Sequence, residues 1–90
     1  MPGEFKGKVV VVSGASRGIG RGIAQAFARE GAQTVLASSS AENLAVAAKA
    51  IAGLGPEPFT VAGDLRTLAA CEQLFVRVNE RFGRCDVLVN

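Results

Sequence analysis

Ninety residues make one domain or part of one, and a chain this short buries only about two-thirds of the surface its unfolded form exposes. Hydrophobic residues reach 49% and mean hydropathy is positive, which excludes a disordered segment, while ten Lys and Arg against eight Asp and Glu are scattered, giving a nucleic-acid surface little support. Histidine, tyrosine and tryptophan are all absent, and Cys71 and Cys85 match no zinc spacing, so these residues offer no metal chemistry and no imidazole or phenol as proton donor.

The opening MPGEFKGK lacks the apolar core of a signal peptide, and the apolar runs are too short for a membrane span. The expectation is a soluble, cytoplasmic protein with free thiols. Lys8 to Ser13 is a β-branched run ending in glycine, the pattern of a strand buried on both faces. From Gly18 to Glu30 the spacing predicts a helix with Ile19, Ile23, Ala26 and Phe27 as its inner stripe, closed by Gly31. A second strand is expected over Thr34 to Ala37. Ser39 with Glu42 then reads as a capping box opening a helix through about Ala52, with Leu44, Ala48 and Ile51 facing inward.

PFTVAGD predicts a third strand, and Thr67 caps a third helix whose inner face is Leu68, Cys71, Phe75, Val78 and Phe82. Gly83 stops that helix and CDVLVN is a fourth strand. Strands alternating with helices imply a parallel, doubly wound α/β (Rossmann) sheet with right-handed crossovers. Two crossovers one way and a third returning past the first strand give the order 3-2-1-4, with two helices on one face and one on the other. The fourth strand would then be a raw apolar edge, and the 90 residues alone are expected to be marginal or prone to aggregate.

The chemistry is concentrated in SGASRGIG, Ser13 to Gly20, where the first strand gives way to the first helix. A helix amino end has unpaired N–H groups and a partial positive charge, and a phosphate satisfies both. Gly14 is expected to make the turn, Gly18 to admit the phosphates and Gly20 to let the helix lie close to the strand. The alternative for such letters is a mere tight turn; their place after a buried strand and before an amphipathic helix favours a dinucleotide. No lysine follows the glycines, as a P-loop would require, since Arg21 stands there.

SGASRGIG resembles the Thr-Gly-x-x-x-Gly-x-Gly loop of the short-chain dehydrogenase/reductase family, with Ser13 in the threonine place. AGDL at Ala62 to Leu65 resembles the family's aspartate after the third strand, and DVLVN resembles the strand leading into its Asn-Asn-Ala-Gly motif, with Asn90 as the first asparagine. The resemblance implies cofactor contacts from Gly14, Ser16, Arg17, Gly18, Ile19, Gly20, Ser38, Ser39, Asp64, Leu65 and Asn90. Asp64 would touch the adenine; its bland reading is a polar residue ending a strand. Ser13 and Ser16 serve equally as turn-formers, and Asn90 as an exposed chain end. Cys71 reads as core and Cys85 as unactivated; neither is a candidate nucleophile.

An NAD site usually has a carboxylate at the end of the second strand, on the ribose 2′-hydroxyl. Ser38 occupies that place, and Arg17 matches the basic residue that NADP-preferring members often have before the second loop glycine. Their other arginine, just after the second strand, is replaced by Ser39. NADP is therefore favoured over NAD, with a solvated loop charge as the alternative for Arg17. The family's catalytic tyrosine, lysine and serine would lie beyond Asn90, so the chain is expected to be the amino-terminal part, residues 1–90, of one dinucleotide-binding domain and inactive alone.

The resemblance implies that the complete enzyme transfers hydride between nicotinamide and a carbonyl or secondary alcohol, as a homo-oligomer, without nucleic acid or membrane as partner. Within the family, GKVVVVSGASRGIGRGIAQAFAREGA looks most like the reductases of 3-oxoacyl groups. A non-catalytic dinucleotide-binding or sensing module is the second reading.

Overall fold

The computed structural model describes residues 3–16 and 18–90. Four strands and three helices alternate: β1 (Val9–Ser13), α1 (Gly18–Arg29), β2 (Gln33–Ser38), α2 (Ala41–Ala52), β3 (Phe59–Ala62), α3 (Leu68–Phe82) and β4 (Val87–Val89). All pairings are parallel, in the order β3-β2-β1-β4, so the expected Rossmann topology is the observed one. Val11 is in register with Val35 of β2 and Leu88 of β4, which makes β1 an interior strand, paired on both sides.

The alternation of a strand's side chains sorts the core into two layers. Val10, Val12 and Leu36 pack with Ala24, Ala28, Leu44, Ala47 and Ile51 under α1 and α2. Val9, Val11, Val35, Ala37 and Val61 pack with Leu74 and Val78 under α3. Val10, Val11 and Val12 are fully buried, and each contributes about 1.5–3 kcal/mol by leaving water. Two helices cover one face and one covers the other, as the crossovers require.

The inner faces of the helices differ from expectation in an instructive way. In α1 the buried residues are Ala24 and Ala28, not Ile23 and Ala26, and Ile19 is 83% exposed. The reason is closeness: Gly20, Ala24 and Ala28 stand four apart on the side pressed to the sheet, where only small side chains fit. Phe27 stays partly buried and meets Phe5 edge-on, ring centroids 5.1 Å apart. In α2, Leu44 and Ile51 are buried as expected and Ala47 joins them, with Ala48 half-buried.

The α2 cap falls on Ser40 rather than Ser39: the Asn43 N–H donates to Ser40 Oγ at 3.1 Å. β2 runs through Ser38 before the chain turns, which moves the cap one place on. In α3, Thr67 caps as expected, accepting from the Ala70 N–H, and Gly83 ends the helix in the left-handed region at φ 71°. Its buried stripe is Leu74 and Val78, with Phe82 against it, whereas Leu68 and Phe75 are exposed. Leu88 of the edge strand β4 is 53% exposed and shares a hollow with Phe75. No helix among the described residues is long and apolar enough to cross a membrane.

Candidate functional site

The carboxyl ends of all four parallel strands arrive at one rim of the sheet, and the strand order reverses at β1, with β2 and β3 on one side of it and β4 on the other. In open parallel sheets such a switch point is where ligands sit. A hollow of about 390 Å³ opens at this rim, lined by Ser13, Gly14, Ser38, Ser39, Gly63, Asp64, Leu65, Arg66 and Asn90.

The β1–α1 turn forms one wall. Gly14 and Gly18 both take φ 64°, a conformation that side chains with a Cβ rarely adopt, and a Cβ on either would meet open space. Among the described residues, nothing comes within 4 Å of a Cβ placed at either glycine. Gly20 is the reverse case: a Cβ there would run into the Gly14 carbonyl, so its hydrogen is what lets α1 lie against the turn. The first turn of α1 carries no acidic residue, leaving the positive end of its dipole uncompensated. Such a turn can accept a diphosphate on its backbone amides.

Hydrogen bonds moor this turn to the strands behind it. The Ala15 N–H donates to Ala37 O at 3.3 Å, and Ser38 Oγ donates to Ser16 Oγ at 3.0 Å. Ser16 is thus a buried brace behind the hollow. Ser38 is tied in further, since its carbonyl accepts from the Gly63 N–H at 2.9 Å. Ser13 Oγ reaches across to β4, donating to Asn90 Oδ1 at 2.9 Å and lying 3.3 Å from Val89 O. Asn90 is exposed, and its side chain is braced against the turn by this bond.

The opposite wall is the β3–α3 turn. The Asp64 carbonyl accepts from the Thr67 N–H and hydroxyl, both at 3.0 Å, so Asp64 does fill the plain role of shaping a turn before a helix. Its carboxylate is also gripped by Arg66. Nε donates to Oδ1 at 2.9 Å, Nη2 to Oδ2 at 3.0 Å, and the Arg66 N–H to Oδ1 at 3.1 Å. These bonds to Arg66 hold the Asp64 carboxyl below its ordinary pKa, and the carboxylate in turn raises that of Arg66.

Of the residues expected from the sequence, Gly14, Ser38, Ser39, Asp64, Leu65 and Asn90 line one hollow. Ser16 and Gly20 lie behind its wall, and Gly18 and Ile19 open the helix beside it. Arg17 lies outside the described residues. Sequence reasoning missed Gly63 and Arg66; an arginine two places after a turn aspartate was the only available signal for the second. Cys71 is half-buried, with its thiol donating to Leu65 O at 3.2 Å. Burial, then the nearby Asp86 charge, push the Cys85 thiol up, away from a reactive thiolate.

A profile of the short chain dehydrogenase family matches residues 8–90. The chain is 39% identical over 87 residues to 1,6-dihydroxycyclohexa-2,4-diene-1-carboxylate dehydrogenase of Pseudomonas putida, which covers 97% of this chain and 32% of that protein. It is 42% identical over 87 residues to galactitol 2-dehydrogenase of Agrobacterium fabrum, covering 97% of this chain and 33% of that protein. The L-sorbose reductase of Gluconobacter frateurii, solved with NADPH and L-sorbose, superposes with a TM-score of 0.93 at 37% identity, covering 100% of this chain and 35% of that one. A metagenomic short-chain oxidoreductase solved with NADP gives a TM-score of 0.88 at 39% identity, covering 93% of this chain and 38% of that one. The chain thus spans about a third of the length of the relatives it matches. A bare glycine turn at the switch point of a 3-2-1-4 sheet and a match over residues 8–90 lead to one conclusion: the chain belongs to the short chain dehydrogenase family.

Proposed function

We propose that this chain is the NADP(H)-binding part of an oxidoreductase that moves hydride between nicotinamide and a carbonyl or secondary alcohol. The observation that carries the reading is the unobstructed turn, Gly14 and Gly18 left-handed and open, at the rim where four strand ends form a hollow. The diphosphate sits on the amides from Gly14 to Gly20, including those of Ser16, Arg17 and Ile19. Asp64 and Leu65 receive the adenine, Asn90 lines the cleft, and Ser38 and Ser39 face the adenosine ribose. When bound, the cofactor supplies or takes the hydride; these residues hold it and exclude water.

NADP rather than NAD is supported by what stands at the end of β2. Ser38 and Ser39 line the hollow where an NAD site has a carboxylate, so at the end of β2 a 2′-phosphate meets hydroxyls rather than an acidic side chain. The relatives solved with NADPH and NADP point the same way. Galactitol and the cyclohexadiene diol named for two relatives are alcohols, which fits a secondary alcohol or ketone as substrate. The 90 residues contain no tyrosine, so this chain alone binds cofactor without turnover. We place the activity in a soluble, cytoplasmic homo-oligomer.

The test is a fluorescence titration of the chain with NADPH and with NADH. The proposal expects saturable binding of both, NADPH tighter by about tenfold, the worth of one charge-assisted bond to the 2′-phosphate. Tighter NADH overturns the cofactor assignment, and binding of neither overturns the function.

A further inference from the structure

Asp64 lines the hollow, and most of its carboxylate's hydrogen-bonding capacity is already used by Arg66. A carboxylate offers about four acceptor positions, two on each oxygen. Oδ1 accepts from both the backbone N–H and Nε of Arg66, and Oδ2 accepts from Nη2 alone. The remaining acceptor position is on Oδ2. We propose that Arg66 is a positioning residue for base recognition: its guanidinium fork fixes Asp64 so that Oδ2 takes one N–H donor from the exocyclic amino group of a purine in the hollow, which selects a 6-amino purine over a 6-oxo one. This rests on the proposed reading of the hollow as the adenosine end of a dinucleotide site.

The fork has consequences that a loose aspartate would not. A free carboxylate rotates and offers either oxygen; a forked one presents a single acceptor in a single direction. The Arg66 side chain is 89% exposed, so in the unliganded protein water screens the pair and it adds little to stability. A purine lying over it excludes that water and strengthens both the pair and the new bond. The effect of Arg66 therefore appears in which base is bound and hardly in how stable the fold is. Lysine keeps the charge but lacks the planar fork, and it separates positioning from simple electrostatics.

The test uses two ligands that differ only at the base, NADPH and reduced nicotinamide hypoxanthine dinucleotide phosphate. Affinities are measured by fluorescence titration, with a thermal melt of each variant as control. The wild-type chain is expected to prefer the adenine form by about tenfold, because a 6-carbonyl removes the donor and faces the carboxylate with an acceptor. Arg66→Ala and Arg66→Lys are expected to cut that preference to about threefold or less with melting within about 2 °C of wild type, and Asp64→Ala to abolish it. Full preference retained in both Arg66 variants overturns the role of Arg66 while leaving the dinucleotide reading intact. A wild-type chain that binds both forms equally overturns base reading by Asp64, and one that binds neither removes the site itself.

Discussion

Gly20→Ala places one methyl group where the structure has none to spare. Its Cβ would collide with the Gly14 carbonyl oxygen and stand 2.8 Å from the Gly14 carbonyl carbon and 3.3 Å from Ala15 Cα. Comfortable carbon–carbon contact is about 3.5–4.0 Å, and since the obstacle is backbone, the turn must retreat by about 1 Å. Overpacking of this kind costs about 1–3 kcal/mol, partly offset by the roughly 1 kcal/mol that alanine gains over glycine in a helix. The net loss of up to about 2 kcal/mol lowers the melting temperature by up to about 10 °C in a domain of this size. Affinity for NADPH falls about tenfold or more, because the displaced amides no longer converge on the phosphates. Gly22→Ala supplies the control: it lies in the same helix with nothing within 4 Å of the added methyl and should raise the melting temperature by about 5 °C. Circular-dichroism melts and NADPH titrations of both variants check this. If Gly20→Ala matched wild type in melting and in binding, the close approach of α1 to the turn would not be what shapes the site.

Thr34 is fully buried on β2, and its hydroxyl has no partner among the described residues, so Thr34→Val should stabilise by about 1 kcal/mol, seen as a rightward shift in a urea melt. Arg17→Ala should weaken NADPH by about tenfold in a titration and leave NADH unchanged, the loss of one charge-assisted phosphate bond. Asp86 accepts from Arg84 Nη2 at 2.6 Å and from the Val9 N–H at 2.8 Å, and its carboxyl is held below the ordinary 3.8, by Arg84 first. Its contribution is whole above that ordinary value and is lost as pH falls through the lower folded one, so Asp86→Asn should flatten the stability–pH curve on the acid side in denaturant melts. Leu88, Phe75, Val76 and Leu68 are exposed, and the 90-residue chain should associate with rising concentration in sedimentation; Leu88→Lys should reduce this, and a wild-type chain that stays monomeric throughout would contradict it.

Much of this architecture is legible in the residue order because the signals are local and redundant. Four valines before a glycine turn specify a strand buried on both sides, and Thr67 and Gly83 bracket α3 by caps whose mechanism is written in single residues. What escaped depends on distance between elements. Ranking α1 by hydrophobicity put Ile19 inside, but the helix approaches the sheet too closely for it and buries Ala24 and Ala28. Three consecutive serines gave no means of telling Ser39 from Ser40 as the cap until the length of β2 was known. In α3, Leu74 and its neighbour Phe75 both satisfy a helical period, and only the packing chooses Leu74 for the buried stripe.

The site divides in the same way. Gly14, Gly18 and Gly20 were assigned separate tasks from the sequence, and the structure gives the first two left-handed backbones and the third a close contact. Ser16 was named as a cofactor contact or a turn-former, yet its mooring to Ser38 spans two elements and no spacing rule reveals it. The grip of Arg66 on Asp64 was equally hidden, since an i, i+2 pair meets only when the turn folds the chain back.

If the β1–α1 turn receives a diphosphate, backbone amide chemical shifts report that contact residue by residue. On addition of NADPH to the isotopically labelled chain, the amides from Gly14 to Gly20 should move most, with those of Asp64 and Leu65 following. Saturable binding that left the glycine amides in place while shifting others would contradict the account.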